Sequence, residues 1–518
     1  NNDRHGTDGP MLVSDPGHVD DLSRLFVQAV QALGEPFNAD FNGEQQRGVG
    51  FYQFMNRSGR RSSAAYAYIE PQRDNPNLVV RLHAPVSRIL LEKGRATGVV
   101  YRDGRGERTV HADGTVVLAA GALVTPQLLM LSGIGPADHI ATQGIDPVLD
   151  LPGVGSNLID HPEVPMTALA NGRYGYYRQG EGWRMLRNGL QFKLFGSGPI
   201  LSSGVEAGAF VNPADRDGPP TIQAFCVPIV YGDRDTRGAV EDGYGITITT
   251  VVVKPRSRGT VRLASADPAA MPAVSPKLLE DDADLAAMVA GQRFFVEAFR
   301  TAPLAGRVAR IAIPDPADLS DAALRAHCRR FVKTNYHPAG TARMGADGHP
   351  DAALDARLRV RGTDNLMVSD MSAVPDIVAG VLAGEDFGGR AIDVADALAI
   401  DQEQVVAAGP AGDVDIFAEF DRPLGAENEK PSVAPYRQPG LGEPVGDAVA
   451  EALHRIRPAV LGEQVVHALH RVPGQHHVEH GMDRQRQGDR RDVAVLEKAQ
   501  RELVAATVLR ADDREVRD

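Results

Sequence analysis

Apolar positions along this 518-residue chain recur in two rhythms. In "DDLSRLFVQAVQALG", residues 20–34, they fall three and four apart, as on an amphipathic helix, and Gly34 is placed to cap its end. In "NLVVRLHAPVSRILLEKGRATGVVY", residues 77–101, two β-rich runs flank a turn centred on "EKGR". A third run, "RTVHADGTVVLAAGA", ends in a continuous apolar strand that breaks at Gly121. The following "TPQLLMLSGIG" predicts a helix with Thr125 as N-cap and Pro126 at the first helical position, stopped by Gly133. Further along, "YGITITTVVVKPRSRGTVRLAS" predicts a strand pair, and "DDADLAAMVAGQRFFVEAFR" a helix with an acidic start. That mixture predicts a sheet with helices to one side.

The length exceeds what one core organises, so two or three domains are expected. The pattern divides at residues 1–155, 156–330, 331–380 and 381–518. The last segment stands apart, with 26 acidic against 16 basic side chains, four aromatics and six of the fifteen histidines. Its apolar residues are mostly Val and Ala, too little to offset the entropy of ordering. It is expected to be poorly packed, with one helix at 493–508. The start, "NNDRHGTDGP", has no Met and no signal pattern, as if the chain begins part-way into a longer protein.

Composition narrows the partners. Hydrophobic residues make up 43%, a globular value, and the formal net charge of −13 argues against nucleic acid or an anionic membrane surface as the main partner. No apolar run reaches the ~18 residues of a membrane span. Two cysteines, Cys226 and Cys328, provide no disulfide framework and point to a reducing, cytoplasmic setting.

Three stretches carry candidate chemistry. In "TNYHPAGTARMG", residues 334–345, Pro338 biases His337 towards an extended backbone, and Gly340 and Gly345 permit tight turns. A histidine so presented, beside Thr334 and Asn335, suits a general base as well as an ordinary surface loop. In "GALVTPQLLMLSGIG", residues 121–135, a strand ends in small residues before a helix N-terminus, where a ligand can approach the backbone. Glu206, in "GVEAGAF", is a carboxylate in an apolar context and needs a partner: a cationic alcohol such as choline, or the donors of a structural loop.

These stretches together resemble the glucose–methanol–choline (GMC) oxidoreductases, in particular the choline dehydrogenase and alcohol dehydrogenase branch. Residues 121–135 resemble the family's second signature, "NYHPAGTARMG" its active-site histidine loop, and "LRVRGTDNLMVSDMSAVP" (358–375) the segment that returns to the flavin. "LPGVGSNLIDHP", "GPILSSGVEAGAFV" and "KPRSRGTVRLASADP" are similar to further family blocks, over residues 5–380 in all. The resemblance implies an α/β fold: a GMC-type FAD-binding domain lacking its first βαβ unit, plus a substrate domain with an antiparallel sheet. It implies FAD as cofactor, an alcohol as substrate, and oxygen or a quinone as electron acceptor. His337 matches the catalytic base, Val86 the adenine end, and Gly121 the turn beside the dinucleotide. Asp370 and Met371 match the turn near the isoalloxazine, where the family more often has Ala in place of Met371. Asn335 and Glu206 are the expected substrate contacts.

Two departures accompany the matches. The sequence contains no G-x-G-x-x-G phosphate cradle. Gly380 matches, but Val381 stands where the family carries a second catalytic Asn or His, and the divergent tail begins there, as a change of reading frame would produce. A non-catalytic remnant and a lyase on the same fold therefore stand beside the alcohol oxidoreductase as readings. In the tail, His467, His470, His476, His477 and His480 lack a Cys and straddle Pro473, so no metal is expected.

Overall fold

The computed structural model describes residues 5–379 apart from 7, 8, 58 and 232–241, together with the pair 418 and 419. The expectations attached to Val381, to the tail histidines and to a helix at 493–508 lie outside these residues. The chain divides into units 1–425 and 426–518, and the fold below belongs to the first.

Helix α1 (Asp21–Ala32) follows the expected rhythm, burying Leu22, Phe26, Val27 and Val30, and the Asp20 carboxylate accepts the Leu22 amide at 2.8 Å. Gly34 closes it in the left-handed region, φ 96°. A short strand β1 (Gly48–Phe51) follows. Strands β2 (Val86–Glu92), β3 (Arg95–Asp103) and β4 (Gly106–His111) form the expected antiparallel meander. Lys93 and Gly94, both with positive φ, make its first two-residue turn.

Beyond β5 (Val116–Leu118) lies α2 (Gly121–Leu131), buried on nearly every side. The helix begins four residues before the expected N-cap, so Thr125 and Pro126 are interior. Pro126 brings no N–H to the Ala122 carbonyl, and the Thr341 hydroxyl donates to that oxygen instead, at 2.6 Å. A hydroxyl from a distant loop thus removes the cost that placed the helix start at Pro126 in the sequence reading.

The second body contains β6 (Pro162–Ala170), α3 (Gly182–Phe195), β7 (Ala207–Val211), β8 (Ile222–Val227), β9 (Gly245–Val252), α4 (Asp282–Arg300), β10 (Val308–Ile313), α5 (Asp321–Phe331) and β11 (Lys333–Thr334). Its sheet runs β1-β7-β8-β9-β6-β10, with β11 also on β6, antiparallel throughout. Residues 48–51 and 333–334 therefore join a sheet expected within 156–330. The expected strand pair is different: β9 pairs with β6 and β8, whereas Thr260–Arg262 pairs with Ala273–Ser275. Between them the Asp284 carboxylate, in the first turn of α4, accepts the Arg256 and Ser257 amides at 2.8 Å and draws the chain off the sheet.

Alternation gives the sheet two faces. Val164, Met166 and Ala168 of β6, with Ala207, Ala209 and Val211 of β7, pack against α1, α4 and α5. On the other face Phe210 meets Phe41 and Tyr52. Gly208 is obligatory there, since a Cβ would lie 2.1 Å from the Tyr52 hydroxyl oxygen. A second core joins the meander, α2, and the parallel pair of β5 with β12 (Leu366–Val368).

Candidate active site

A cavity of about 790 Å³ opens on the aromatic face of the sheet. Phe41, Tyr52, Phe54, Phe210, Phe225 and Ile200 contribute apolar wall, and Asn335, His337, Glu163 and Lys333 are polar groups on it. Apolar lining with a few convergent polar groups is the usual form of a small-molecule site.

The histidine loop is strapped on both sides. Towards β6, Ala339 and Ile159 exchange amide–carbonyl bonds of 2.8 and 2.9 Å, and the Asn335 amide donates to the His161 carbonyl at 3.0 Å. The buried Asp160 carboxylate accepts the His337 amide at 3.1 Å and the Thr334 hydroxyl. Burial pushes the Asp160 carboxyl up, and the Thr334 hydroxyl and the His337 and His161 amides pull it back. On the other side, Gly340, Ala342 and Met344 donate to the carbonyls of Met371, Ser372 and Ala373 at 3.0, 2.8 and 2.8 Å. Between the straps Tyr336 takes a left-handed φ of 63°, which turns the chain immediately before His337.

His337 is thereby held as a neutral imidazole. Burial pushes its pKa down to about 4, and the nearby His161 adds to the effect. The two rings meet edge to face with centroids 5.6 Å apart. His161 donates from Nδ1 to the Val252 carbonyl at 2.9 Å, which leaves Nε2 as the lone-pair nitrogen. That Nε2 is buried and has no hydrogen-bond partner among the described residues. The Asn335 side-chain nitrogen lies 3.3 Å from His337 Nδ1.

The expected cofactor residues meet at the N-terminus of α2. Asp370 Oδ2 accepts the Gly121 amide at 2.9 Å and the Thr125 hydroxyl at 2.5 Å, and its Oδ1 accepts the Ser372 amide at 2.8 Å and hydroxyl at 2.5 Å. Val86 packs beside them on Ala120, Val124 and Leu128. Gly121 has φ 80°, and no heavy atom lies within 4 Å of where its Cβ would be. Met371 contributes its carbonyl to the Gly340 strap, so the helix joint and the histidine loop share one turn.

Glu206 lies elsewhere. It is fully buried, accepts the Ser23 hydroxyl at 2.7 Å and the Tyr176 and Ser202 hydroxyls, and is not on the cavity wall. The structure thus satisfies this carboxylate internally, as the loop-holding reading expects. The reading of the sequence passed over Asp160, His161 and Thr341. An Asp-His pair inside the apolar "NLIDHP" was the available signal, since titratable groups in such a run need a reason to be buried. No group of side chains suited to a metal ion occurs among the described residues.

A mixed α/β body that joins an aromatic-walled cavity to a helix N-terminus through one turn has the layout of a cofactor-dependent enzyme. The amino-terminal model of the GMC oxidoreductases matches residues 7–163 and the carboxy-terminal model residues 255–383. The chain belongs to the GMC oxidoreductase family. It is 38% identical over 382 residues to an alcohol dehydrogenase [acceptor] of Pseudomonas putida, spanning 73% of this chain and 68% of the relative. An oxygen-dependent choline dehydrogenase of Burkholderia pseudomallei is 35% identical over 74% of this chain and 67% of its own length. The mitochondrial choline dehydrogenase of Mus musculus is 33% identical, and this chain spans 63% of it. Among solved structures, pyridoxine 4-oxidase from Mesorbium loti superposes with a TM-score of 0.64 at 29% identity, over 73% of this chain and 69% of that one.

Proposed function

We propose that this chain is an FAD-dependent oxidoreductase that takes a neutral, apolar alcohol, with His337 as the general base. The observation that carries the reading is a half-buried, neutral imidazole on an apolar cavity wall, tied to the turn that receives the N-terminus of α2. A base must be unprotonated to accept the hydroxyl proton, and burial keeps His337 so across the neutral range. Asn335 acts as the positioning residue: with its amide oxygen towards Nδ1–H, the Nε2 lone pair is available to the alcohol, and with its NH₂ there the roles reverse.

The residues present fit FAD over the part of the site they form. Gly121 offers bare backbone in the left-handed region, Val86 an apolar support, and Asp370 and Met371 the adjoining turn. When bound, FAD supplies the acceptor for the two electrons that leave the alcohol carbon.

The cavity wall favours a neutral alcohol over a choline-like cation. Its carboxylate, Glu163, pairs with Lys333 at 3.4 Å, and the Lys333 ammonium lies over the rings of Tyr231 and Tyr336, 5.4 and 5.1 Å from their centroids. A second cation would meet an aromatic face and a carboxylate that already serve one.

The test is a flavin titration of the purified chain, followed by anaerobic addition of a primary alcohol. The expected result is bound flavin bleached by alkanols faster than by choline, and a 10²- to 10⁴-fold slower bleaching in His337→Gln with flavin affinity unchanged. Bleaching at the parent rate in His337→Gln overturns the base. Failure to retain FAD at excess would establish a second reading, a chain that holds no flavin, for this polypeptide.

A further inference from the structure

Helix α3 is built inside out. A surface helix ordinarily turns its apolar stripe to the core and its polar face to water. In α3 the inward side carries Asn188, buried and donating to the Gln179 carbonyl at 3.0 Å, and Arg184, which donates to the Tyr244 hydroxyl at 2.8 Å. Trp183, Leu186, Leu190 and Leu194 recur three and four apart and are 69, 57, 56 and 63% exposed, with Phe195 at 75% just beyond. Single exposed apolar residues are ordinary, but a stripe along three turns of helix is a contact surface.

The charges around the stripe say which contact. The 14 residues of α3 hold Arg184, Arg187 and Lys193 and no acidic residue, in a chain of net charge −13. By helical spacing Arg187, whose guanidinium also donates to Asn188 Oδ1 at 3.1 Å, and Lys193 fall on opposite borders of the stripe. An apolar face with a tryptophan, edged by cations that can snorkel, has the composition of a helix lying in a lipid interface. We infer that α3 seats this protein on a bilayer surface containing anionic lipid, its stripe entering the boundary between headgroups and chains. The formal charge of the whole chain argues against such a surface, but attraction to headgroups is decided within about a Debye length, where α3 presents three cations beside one N-cap carboxylate, Glu181, which pairs with Arg178 at 3.5 Å.

The placement has a consequence for the cavity. Gly196 ends α3 in the left-handed conformation, and the next turn, Pro199–Leu201, puts Ile200 and Leu201 on the cavity wall. Ile200 is itself half exposed, so the cavity wall continues into the surface that the stripe occupies. A solute dissolved in the lipid would reach the cavity without first crossing bulk water.

Trp183 is the chain's single tryptophan, so its fluorescence reports α3 alone. The experiment mixes the full chain with vesicles of phosphatidylcholine, with and without phosphatidylglycerol. The expected result is a blue shift and quenching by brominated lipid with the anionic vesicles, reversed by salt. Arg187→Gln with Lys193→Gln should weaken vesicle affinity about fivefold per charge. Leu186→Gln, Leu190→Gln and Leu194→Gln together should abolish binding with the circular dichroism spectrum and melting temperature retained, because these side chains support no core. Absence of a shift, or equal and salt-insensitive binding to both vesicles, overturns the inference. So does a shift that grows with protein concentration in the absence of lipid, with dimers seen in sedimentation, which would assign the stripe to a second copy. None of these readouts depends on flavin or turnover.

Discussion

The histidine loop and the α2 joint are held by opposite means. Around His337, many hydrogen bonds from two flanking segments, most of them backbone to backbone, share the load, and one imidazole faces an apolar cavity. At α2, one carboxylate, Asp370, accepts four donors, the Gly121 amide among them, and the space beside the Gly121 Cα stays open. The first region offers side-chain chemistry and distributes its stability. The second offers backbone and concentrates its stability in one residue. Because the Met371–Ala373 turn belongs to both, the concentrated region also supports the distributed one.

The sharpest way to break that contrast is Asp370→Ala. It strands two amides and two hydroxyls in a half-buried joint, and should cost about 4 kcal/mol, measured as a lowered urea midpoint. A loss below about 1 kcal/mol would mean that the joint is not concentrated in Asp370. Acidification compares two histidines, one buried and one half-buried. His327 donates to the Pro165 carbonyl at 3.2 Å, and burial pushes both His327 and His337 down to about 4. Their unfolded value is about 6.5, so below it the unfolded chain binds more protons and stability falls with falling pH. The contribution is complete above pH 6.5 and is lost progressively towards pH 4, by up to about 3 kcal/mol for each histidine. In His337→Gln the slope of the urea midpoint against pH should fall, though not to zero, because His327 and His161 still titrate; an unchanged slope would assign the loss to other groups.

Smaller effects sharpen the same picture. Thr341→Val keeps the shape but leaves the Ala122 carbonyl without its donor beside Pro126, and should cost about 2 kcal/mol in thermal or urea unfolding. A neutral result would show that α2 needs no outside donor there. Smallest is Glu206→Gln, which replaces one of two acceptor oxygens by an NH₂ and should cost about 1 kcal/mol. The KM values for choline and for a neutral alkanol should both stay unchanged; a rise confined to choline would place Glu206 at the substrate after all.

The chain's own letters determined the elements whose signals are local. The period of residues 20–34 and 281–300, the Lys93–Gly94 turn and the alternation that splits the sheet into two faces follow from steric and solvent preferences of neighbouring residues. The motif order determined the family and singled out His337, Gly121 and Asp370. Only tertiary structure decided what those residues touch. Thr125 reads as an N-cap until Thr341, over two hundred residues away, supplies the hydrogen bond that lets α2 run through Pro126. Glu206 reads as a waiting carboxylate until Ser23, Tyr176 and Ser202 close around it. Asp160 and His161 stand out only as two titratable letters in an apolar run, and their work lies in bonds to residues far along the chain. In α3, which face meets water depends on what packs beneath it, and no local rule contains that. Hydrogen bonds and burial are properties of pairs brought together by folding, and a sequence records only one member of each pair at a time.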